Sequence, residues 1–154
     1  MKRILAICLL IAMLLVSLSG CKPRLDAVFT TEQLYNGKDI YLALDPDSVT
    51  GKGMTYYVVN NYTDSFVYCG QAESAILLAE KNGVWYYMAG NNDQVEDSTF
   101  IVPAGTPVLF EWDWTYRYNK LSKGHYMLCK VCQVGSRNTE ETLLVNLGLE
   151  FNIE

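Results

Sequence analysis

The chain has 154 residues and a formal net charge of −5, and half of its residues are apolar while 19% are charged. A chain of this length forms about one domain. The acidic balance argues against binding to nucleic acid and against electrostatic docking on anionic lipid, because both require clusters of basic side chains.

The first 20 residues have the three parts of a secretory signal: a basic start, an uncharged apolar run over 4–16, and small residues after it. The run leads into the string LSGC at 18–21, which resembles the lipobox of bacterial lipoproteins. In that family, cleavage occurs before the cysteine, and the thiol carries a diacylglyceryl group. The resemblance implies a helical signal peptide over 1–20, cleavage between Gly20 and Cys21, and lipidation of Cys21. It places the protein at the extracytoplasmic face of the cell membrane.

Two alternatives stay open for this N-terminal segment. The stretch 4–20 reaches the lower length limit of a membrane-spanning helix, and a plain signal peptide could be cut at another position. Removal of residues 1–20 leaves seventeen acidic residues against ten basic ones, a net charge of −7, because both basic residues of the signal leave with it. An acidic domain of this kind would depend on acyl chains for anchoring, and two chains hold a protein stably where one does not.

The mature chain is predicted to begin with a tether and to continue as short strands. Residues 21–37 contain Pro23 and few bulky apolar residues, which predicts a lipidated N-terminus and a short tether. From residue 38, apolar runs alternate with turn signals, among which Asn82-Gly83 is the strongest because both residues accept positive φ in a type I′ hairpin. Strands are predicted at 40–44, 54–60, 66–69, 75–81, 84–88, 99–102, 108–114, 124–134 and 143–153. With no convincing helix after residue 21, the pattern indicates an all-β antiparallel sandwich over 38–154.

Residues 121–128, LSKGHYML, resemble the tyrosine corner of immunoglobulin-like sandwiches, in which a Tyr near the second-last strand bonds back to the upstream backbone. Further matching strings lie at 82–86, 102–106, 118–121 and 149–153. Over 38–154 the chain therefore resembles the bacterial immunoglobulin-like domain of small Gram-positive surface lipoproteins. The resemblance implies an immunoglobulin-like sandwich of about seven to nine strands. It also implies a binding or accessory module, and it carries over no active site. Met127 departs from the family, which often has Arg there, and the cysteines of the mature domain lie outside its pattern.

Three cysteines remain in the mature domain: Cys69, Cys129 and Cys132. Export permits disulfides. In a regular strand residues 129 and 132 face opposite sides and lie about 10 Å apart, too far for a bridge. We therefore expect either a disulfide of Cys69 with Cys129 or Cys132, or three free buried thiols.

Aromatic residues supply two candidate binding surfaces. Aromatic residues recur at every second position from 110 to 118, as Phe110, Trp112, Trp114, Tyr116 and Tyr118, and in a strand they would share one face. Such a row could stack on a sugar ring. It could instead be the inward row of a core strand, since acidic residues alternate with its first members. Adjacent tyrosine pairs elsewhere must also place some rings on the surface, and tyrosine suits interfaces. The predicted binding surface consists of Tyr116, Tyr118, Tyr62 and Tyr86.

The sequence marks no catalytic or metal site. It contains one histidine, His125, and no nucleophile, zinc or phosphate-loop motif. Its two acidic loops, around Asp45 and Asp93, lack calcium-site spacing. The predicted function is that of a membrane-anchored, non-catalytic binding domain without cofactor, which meets a protein or wall-polymer partner and no nucleic acid. The alternatives are a carbohydrate or cell-wall polymer module that uses exposed aromatics, and an accessory subunit of a membrane protein complex.

Overall fold

The computed structural model describes residues 25–91, 98–136 and 142–154. They form ten strands and one short helix, α1. The elements are β1 Leu25–Phe29, β2 Ile40–Leu44, β3 Gly53–Asn60, β4 Ser65–Gly70, β5 Ile76–Lys81, β6 Val84–Met88, β7 Thr99–Val102, β8 Val108–Asp113, α1 Thr115–Tyr118, β9 Gly124–Ser136 and β10 Thr142–Ile153. The strands make antiparallel sheets of seven and three strands, which confirms the predicted all-β sandwich. The helical signal peptide lies outside the described residues.

The long strand β9 lies at the centre of the larger sheet and pairs with three other strands. Along one side it pairs with β10 from Gly124 to Gly135. On the other side its first part pairs with β5 and its last part with β4. Strands β6 and β1 continue the sheet beyond β5, and this part, with the first part of β9, is here called the near half. Strand β7 continues the sheet beyond β4, and this part, with the last part of β9, is here called the far half. The two halves are separated because residues 71–75 leave the ladder in a one-turn 3-10 helix, Ala72–Ser74.

The smaller sheet, in the order β2-β3-β8, packs over the inner face of the larger one. Its inward residues, among them Tyr56 and Trp112, join the inward residues of β9 and β10 in one buried cluster. Side chains alternate across a strand, so β9 sends its even-numbered residues into this core and its odd-numbered residues to the outer face. The core therefore lies between the two sheets, as in other sandwiches.

The predicted tyrosine corner is present at the start of β9. The Tyr126 hydroxyl donates to the Ser122 carbonyl oxygen over 2.9 Å, four residues upstream. The ring stacks on Phe151 of β10 with centroids 5.8 Å apart. The bond fixes the turn that enters the second-last strand, which is the role that the sequence pattern predicted.

Strand β1 lies within the segment 21–37 that the sequence predicted as a tether, so the described fold already includes Leu25. Strand β1 pairs with β6, and Phe29 at its end is buried against Tyr87, with ring centroids 5.5 Å apart. Residues 30–35, here called the strap, then cross the outer face of the near half from β6 to β10. They reach the edge of β10 that does not pair with β9. There the Tyr35 amide donates to the Asn146 carbonyl over 2.8 Å. The sequence signal for this segment is weak because the segment is short and is held by distant residues.

The strap also explains a glycine in β10. A Cβ on Gly148 would lie 2.9 Å from a methyl carbon of Leu34, closer than side chains can approach without a shift. Beneath the strap, Phe29, Leu78, Met127 and Cys129 form a second buried cluster on the outer face of the near half. This half of the outer face is therefore covered by the chain itself.

Candidate functional site

The tyrosines of the predicted binding surface do not form one surface. Tyr116 is 72% exposed on α1, whereas Tyr118 is buried and receives the Leu77 amide at its hydroxyl over 3.3 Å. The prediction that Tyr118 is exposed was wrong, because the chain turns into a helix at Thr115. Residues two apart on a helix do not share a face, so the alternation of a strand does not extend to this pair.

Tyr62 and Tyr86 lie on other elements and are half-buried. Burial, followed by a 2.9 Å contact between the Tyr62 and Tyr35 hydroxyls, raises the pKa of Tyr62 to about 12. Tyr86 lies in β6, where it faces Ala79 of β5 and Val28 of β1. Tyr62 thus joins the loop after β3 to the end of the strap, and Tyr86 belongs to the edge of the near half.

The aromatic row of β8 belongs to the core. Phe110, Trp112 and Trp114 are all buried, and the Trp114 indole nitrogen donates to the Gly51 carbonyl over 3.0 Å. The Trp112 and Trp114 rings meet edge to face with centroids 5.8 Å apart. A sugar cannot reach rings that are packed between the sheets, so this row offers no stacking platform.

The cysteines resolve into one disulfide and one free thiol. Cys69 and Cys132 form a disulfide between the neighbouring strands β4 and β9, with Cα atoms 4.6 Å apart. Of the two pairings left open by the sequence, this one joins inner-face residues that lie directly opposite each other. Cys129 is buried on the outer face beneath the strap, and burial raises the pKa of its thiol to about 11. The thiol is therefore protonated and unreactive at neutral pH.

A buried lysine fills the gap between the two halves of the larger sheet. The Lys130 amine donates to the Gln71 carbonyl over 2.6 Å and to the Ser74 hydroxyl over 3.1 Å. It also lies 4.9 Å from the centre of the Phe110 ring. Burial lowers the pKa of Lys130 to about 8, while the charge of Glu73 acts in the opposite direction. The amine binds the polar groups that the 3-10 turn brings out of the ladder.

Lys130 is enclosed by aromatic rings and backbone. Its Nζ lies 6.0 Å from the centre of the Tyr56 ring. Within the described part of the chain, the Tyr56 hydroxyl is buried without a hydrogen-bond partner. Burial, followed by the charge of Glu73, raises the pKa of that phenol above its usual value. This cluster holds polar groups inside the core and is closed to a substrate.

The far half of the larger sheet carries an apolar patch on its outer face, defined by Phe66, Tyr68, Ile101, Val131 and Leu144. Ile101 of β7 faces Tyr68 of β4, which faces Gln133 of β9, which faces Leu144 of β10. Leu144 is 71% exposed and Ile101 is 56% exposed, and the two aromatic rings are half-buried, with centroids 6.4 Å apart. The patch therefore runs across all four strands of the far half.

No charged residue occupies the outer face of the far half among the described strand positions. Its remaining residues are small or polar: Gly70, Thr99, Gln133, Gly135, Thr142 and Asn146. The outer face of the smaller sheet differs, because β8 presents Glu111 and Asp113 there. These uncharged positions contrast with the seventeen acidic residues of the chain, and exposed apolar side chains grouped on one face are a candidate interaction site.

Among the open clefts on the described surface, two are lined by several ionisable side chains. One, of about 520 Å³, lies beside the edge of β8, and Glu73, Glu111 and Asp113 contribute to its wall. The other, of about 330 Å³, lies between Leu25 and the start of β9, where His125 is 3.1 Å from Glu150. Over residues 25–91, 98–136 and 142–154, no group of three or more histidine, cysteine or acidic side chains is arranged to hold a metal ion. No helix in these same ranges has the length and apolar character to cross a membrane.

The sequence interpretation missed the apolar patch because its residues come from four separate strands. The alternation in β4, where Phe66 and Tyr68 alternate with buried Val67 and Cys69, is a local signal that could have identified part of it. Ile101 and Leu144 join that row only through strand pairing, which composition and spacing do not reveal. The burial of Lys130 was also missed, because the groups around its amine come from the 3-10 turn and β8, far away in the sequence.

Comparison of the chain with protein-family models, curated proteins and solved structures returns no match.

Proposed function

We propose that this protein is an extracytoplasmic lipoprotein, held on the cell membrane through a diacylglyceryl group on Cys21, whose immunoglobulin-like domain acts by binding and not by catalysis. The observation that carries the proposal is the string LSGC at 18–21, directly after a basic start and an uncharged apolar run. The small residues before Cys21 suit cleavage at that position. The cysteine would then be the mature N-terminus.

The start of the domain supports a binding role close to the membrane. Leu25 already pairs with Met88, so only three residues lie between it and Cys21. Two acyl chains anchor stably, at about 0.8 kcal/mol for each buried methylene. The anchor would keep the whole domain near the bilayer, where it presents the apolar patch.

An accessory subunit of a membrane protein complex is the second candidate, and the patch favours it because apolar surface suits a protein contact. The wall-polymer alternative has lost the observation that favoured it, since Trp112 and Trp114 are buried.

The anchor is tested by labelling growing cells with radioactive fatty acid and isolating the protein from the membrane fraction. We expect the label in the wild type and its loss in Cys21→Ala. Cys8→Ala is the matched control, because it also removes a cysteine from the N-terminal region and should keep the label. Continued labelling of Cys21→Ala would overturn the lipid assignment.

A further inference from the structure

The link between the proposed anchor and the domain is short enough to restrict how the domain lies. From Cys21 to Leu25 the chain makes four Cα-to-Cα steps, which span at most about 14 Å. Two of the intervening residues, Lys22 and Arg24, are basic and suit an anionic headgroup layer. A domain held this closely must turn one of its own faces toward the bilayer.

The direction of β1 indicates which part of the sheet is nearest to the anchor. Strand β1 runs antiparallel to β6, with Leu25 opposite Met88 and Phe29 opposite Trp85. The chain therefore enters β1 from the Met88 end of β6. Next to this end of β6 lies Leu78 of β5, which pairs with Met127 of β9. Further along β9, from Cys132 onward, the residues pair with β4. The Met88 end of β6 therefore faces the far half of the sheet. The apolar patch belongs to this far half.

The surface chemistry of the patch fits a lipid headgroup region. It combines aliphatic side chains with Tyr68, whose ring and hydroxyl suit the boundary between apolar and polar layers. It carries no charge in the described strand positions, so it avoids the repulsion that the acidic remainder of the domain would meet on an anionic bilayer.

We propose that the apolar patch rests on the outer surface of the same bilayer that holds the lipid anchor. This inference rests on the proposed function, because it requires the anchor at Cys21. The anchor supplies a high local concentration of membrane, so a patch that would bind lipid weakly on its own is held in contact. On the near half the strap covers the outer face, so the apolar side chains beneath it do not contact the lipid.

The test uses the lipidated protein in vesicles of equal parts phosphatidylcholine and phosphatidylglycerol that include nitroxide-labelled phosphatidylcholine. One variant, Leu144→Cys, carries an environment-sensitive fluorophore in the patch. The matched control, Leu109→Cys, carries the same fluorophore on the outer face of the smaller sheet, where Leu109 is also exposed. The buried thiol of Cys129 remains unlabelled under native conditions.

We expect the fluorophore at 144 to shift its emission to the blue and to lose most of its intensity to the nitroxide lipid, while the fluorophore at 109 keeps its emission in water. Equal, water-like emission from both positions on floating vesicles would overturn the lipid contact and leave the anchor intact. Shielding at 144 in native membranes but not in pure lipid vesicles would assign the patch to a membrane protein instead, which also overturns the lipid contact. Failure of the unlabelled protein to float with the vesicles would overturn the anchor and this inference together.

Discussion

Among single residues, Lys130 has the most unusual position in the sandwich. Its amine is buried between the sheets, faces the Tyr56 and Phe110 rings, and is close enough to Glu73 to feel that charge. Its hydrogen-bond acceptors, the Gln71 carbonyl and the Ser74 hydroxyl, also bond to each other. Removal of the amine therefore does not leave the Gln71 carbonyl without a donor. The lowered pKa of Lys130 indicates that burial destabilises the charged amine by more than its hydrogen bonds stabilise it.

Lys130 should make the protein more stable as the pH rises from about 8 to about 10. The folded amine has a pKa of about 8, below the ordinary value of 10.5 that applies to the unfolded chain. Between these values the unfolded state binds more protons than the folded state, so the free energy of unfolding should rise by about 2 kcal/mol. Urea unfolding at several pH values measures this change.

Lys130→Met is the matched variant for that measurement, because it keeps the length of the side chain and removes the titrating group. We expect it to be at least as stable as the wild type near neutral pH and to lose the rise above pH 8. If both proteins showed the same pH profile over this range, Lys130 would not be the group responsible. In the unfolded chain tyrosines are half ionised at about pH 10, so the comparison ends there.

Among the elements, the β4–β9 pair is joined by the disulfide, whereas Cys129 on the same strand stays free. Denatured, unreduced protein lacking residues 1–20 and lipidated on Cys21 should therefore show one titratable thiol, and native protein should show none. Reduction before denaturation should raise the count to three. A count of three without reduction would contradict the Cys69–Cys132 bridge.

Replacement of both bridged cysteines by Ala should cost about 4 kcal/mol in the free energy of unfolding, from the entropy of a closed loop of this size. The bridge spans a sequence separation of 63 residues. Cys129→Ala is the control, since it also removes a buried sulfur but closes no loop. A loss of similar size in Cys129→Ala would show that packing accounts for the effect and loop closure does not.

The strap should control access to Cys129. Phe29→Ala removes the ring that packs against Tyr87 at the start of the strap, so we expect faster reaction of Cys129 with a thiol reagent in native protein. Gly148→Ala should act in the same direction, because its methyl group would push Leu34 away from β10. Val28→Ala is the control, since Val28 is adjacent but 58% exposed. An unchanged reaction rate in both Phe29→Ala and Gly148→Ala would show that the strap does not control access to this thiol.

The strands were largely predictable, and the interruptions between them were less so. Strands β2, β6 and β7 have the predicted bounds, and Asn82 and Gly83 both adopt positive φ, at 55° and 79°, as the hairpin signal requires. These features depend on neighbours in the sequence. Strand β1 was not predicted, because LDAVF has a mixed pattern and pairs with residues about sixty positions away. Helix α1 was not predicted because four residues give too little periodicity.

The interaction surface was the least predictable part. Tyr116 and Tyr118 were expected to be exposed because they follow the strand, but the chain is helical there and packs Tyr118 into the core. Tyrosine content indicated that some rings must be exposed, but not which strands would become neighbours. Only the pairing of β7, β4, β9 and β10 brings Ile101, Tyr68 and Leu144 into one row.

For the whole molecule, three features point in one direction if the anchor is at Cys21. The link is short, β1 is entered from the end that faces the far half, and the described strand positions on the outer face of the far half carry no charge. The chain without residues 1–20 has a net charge of −7 and gains little from the bilayer by electrostatics. The orientation of the domain on the bilayer would then be set by the length of the link and by the apolar patch. The length of the link can be changed without altering the domain.

Insertion of about 20 Gly/Ser residues between Arg24 and Leu25 should separate anchoring from orientation. Such a linker has a root-mean-square length of about 25 Å, which lowers the local concentration of membrane at the patch. We expect the lipidated variant to float with vesicles as the wild type does. The fluorophore at position 144 should, however, lose much of its quenching by nitroxide lipid. A rigid insertion is unsuitable as a control because it could reorient the domain, so the matched control is the same Gly/Ser segment inserted after Glu154. That protein should keep the quenching of the wild type, and unchanged quenching with the internal linker would mean that the short link does not hold the patch on the membrane.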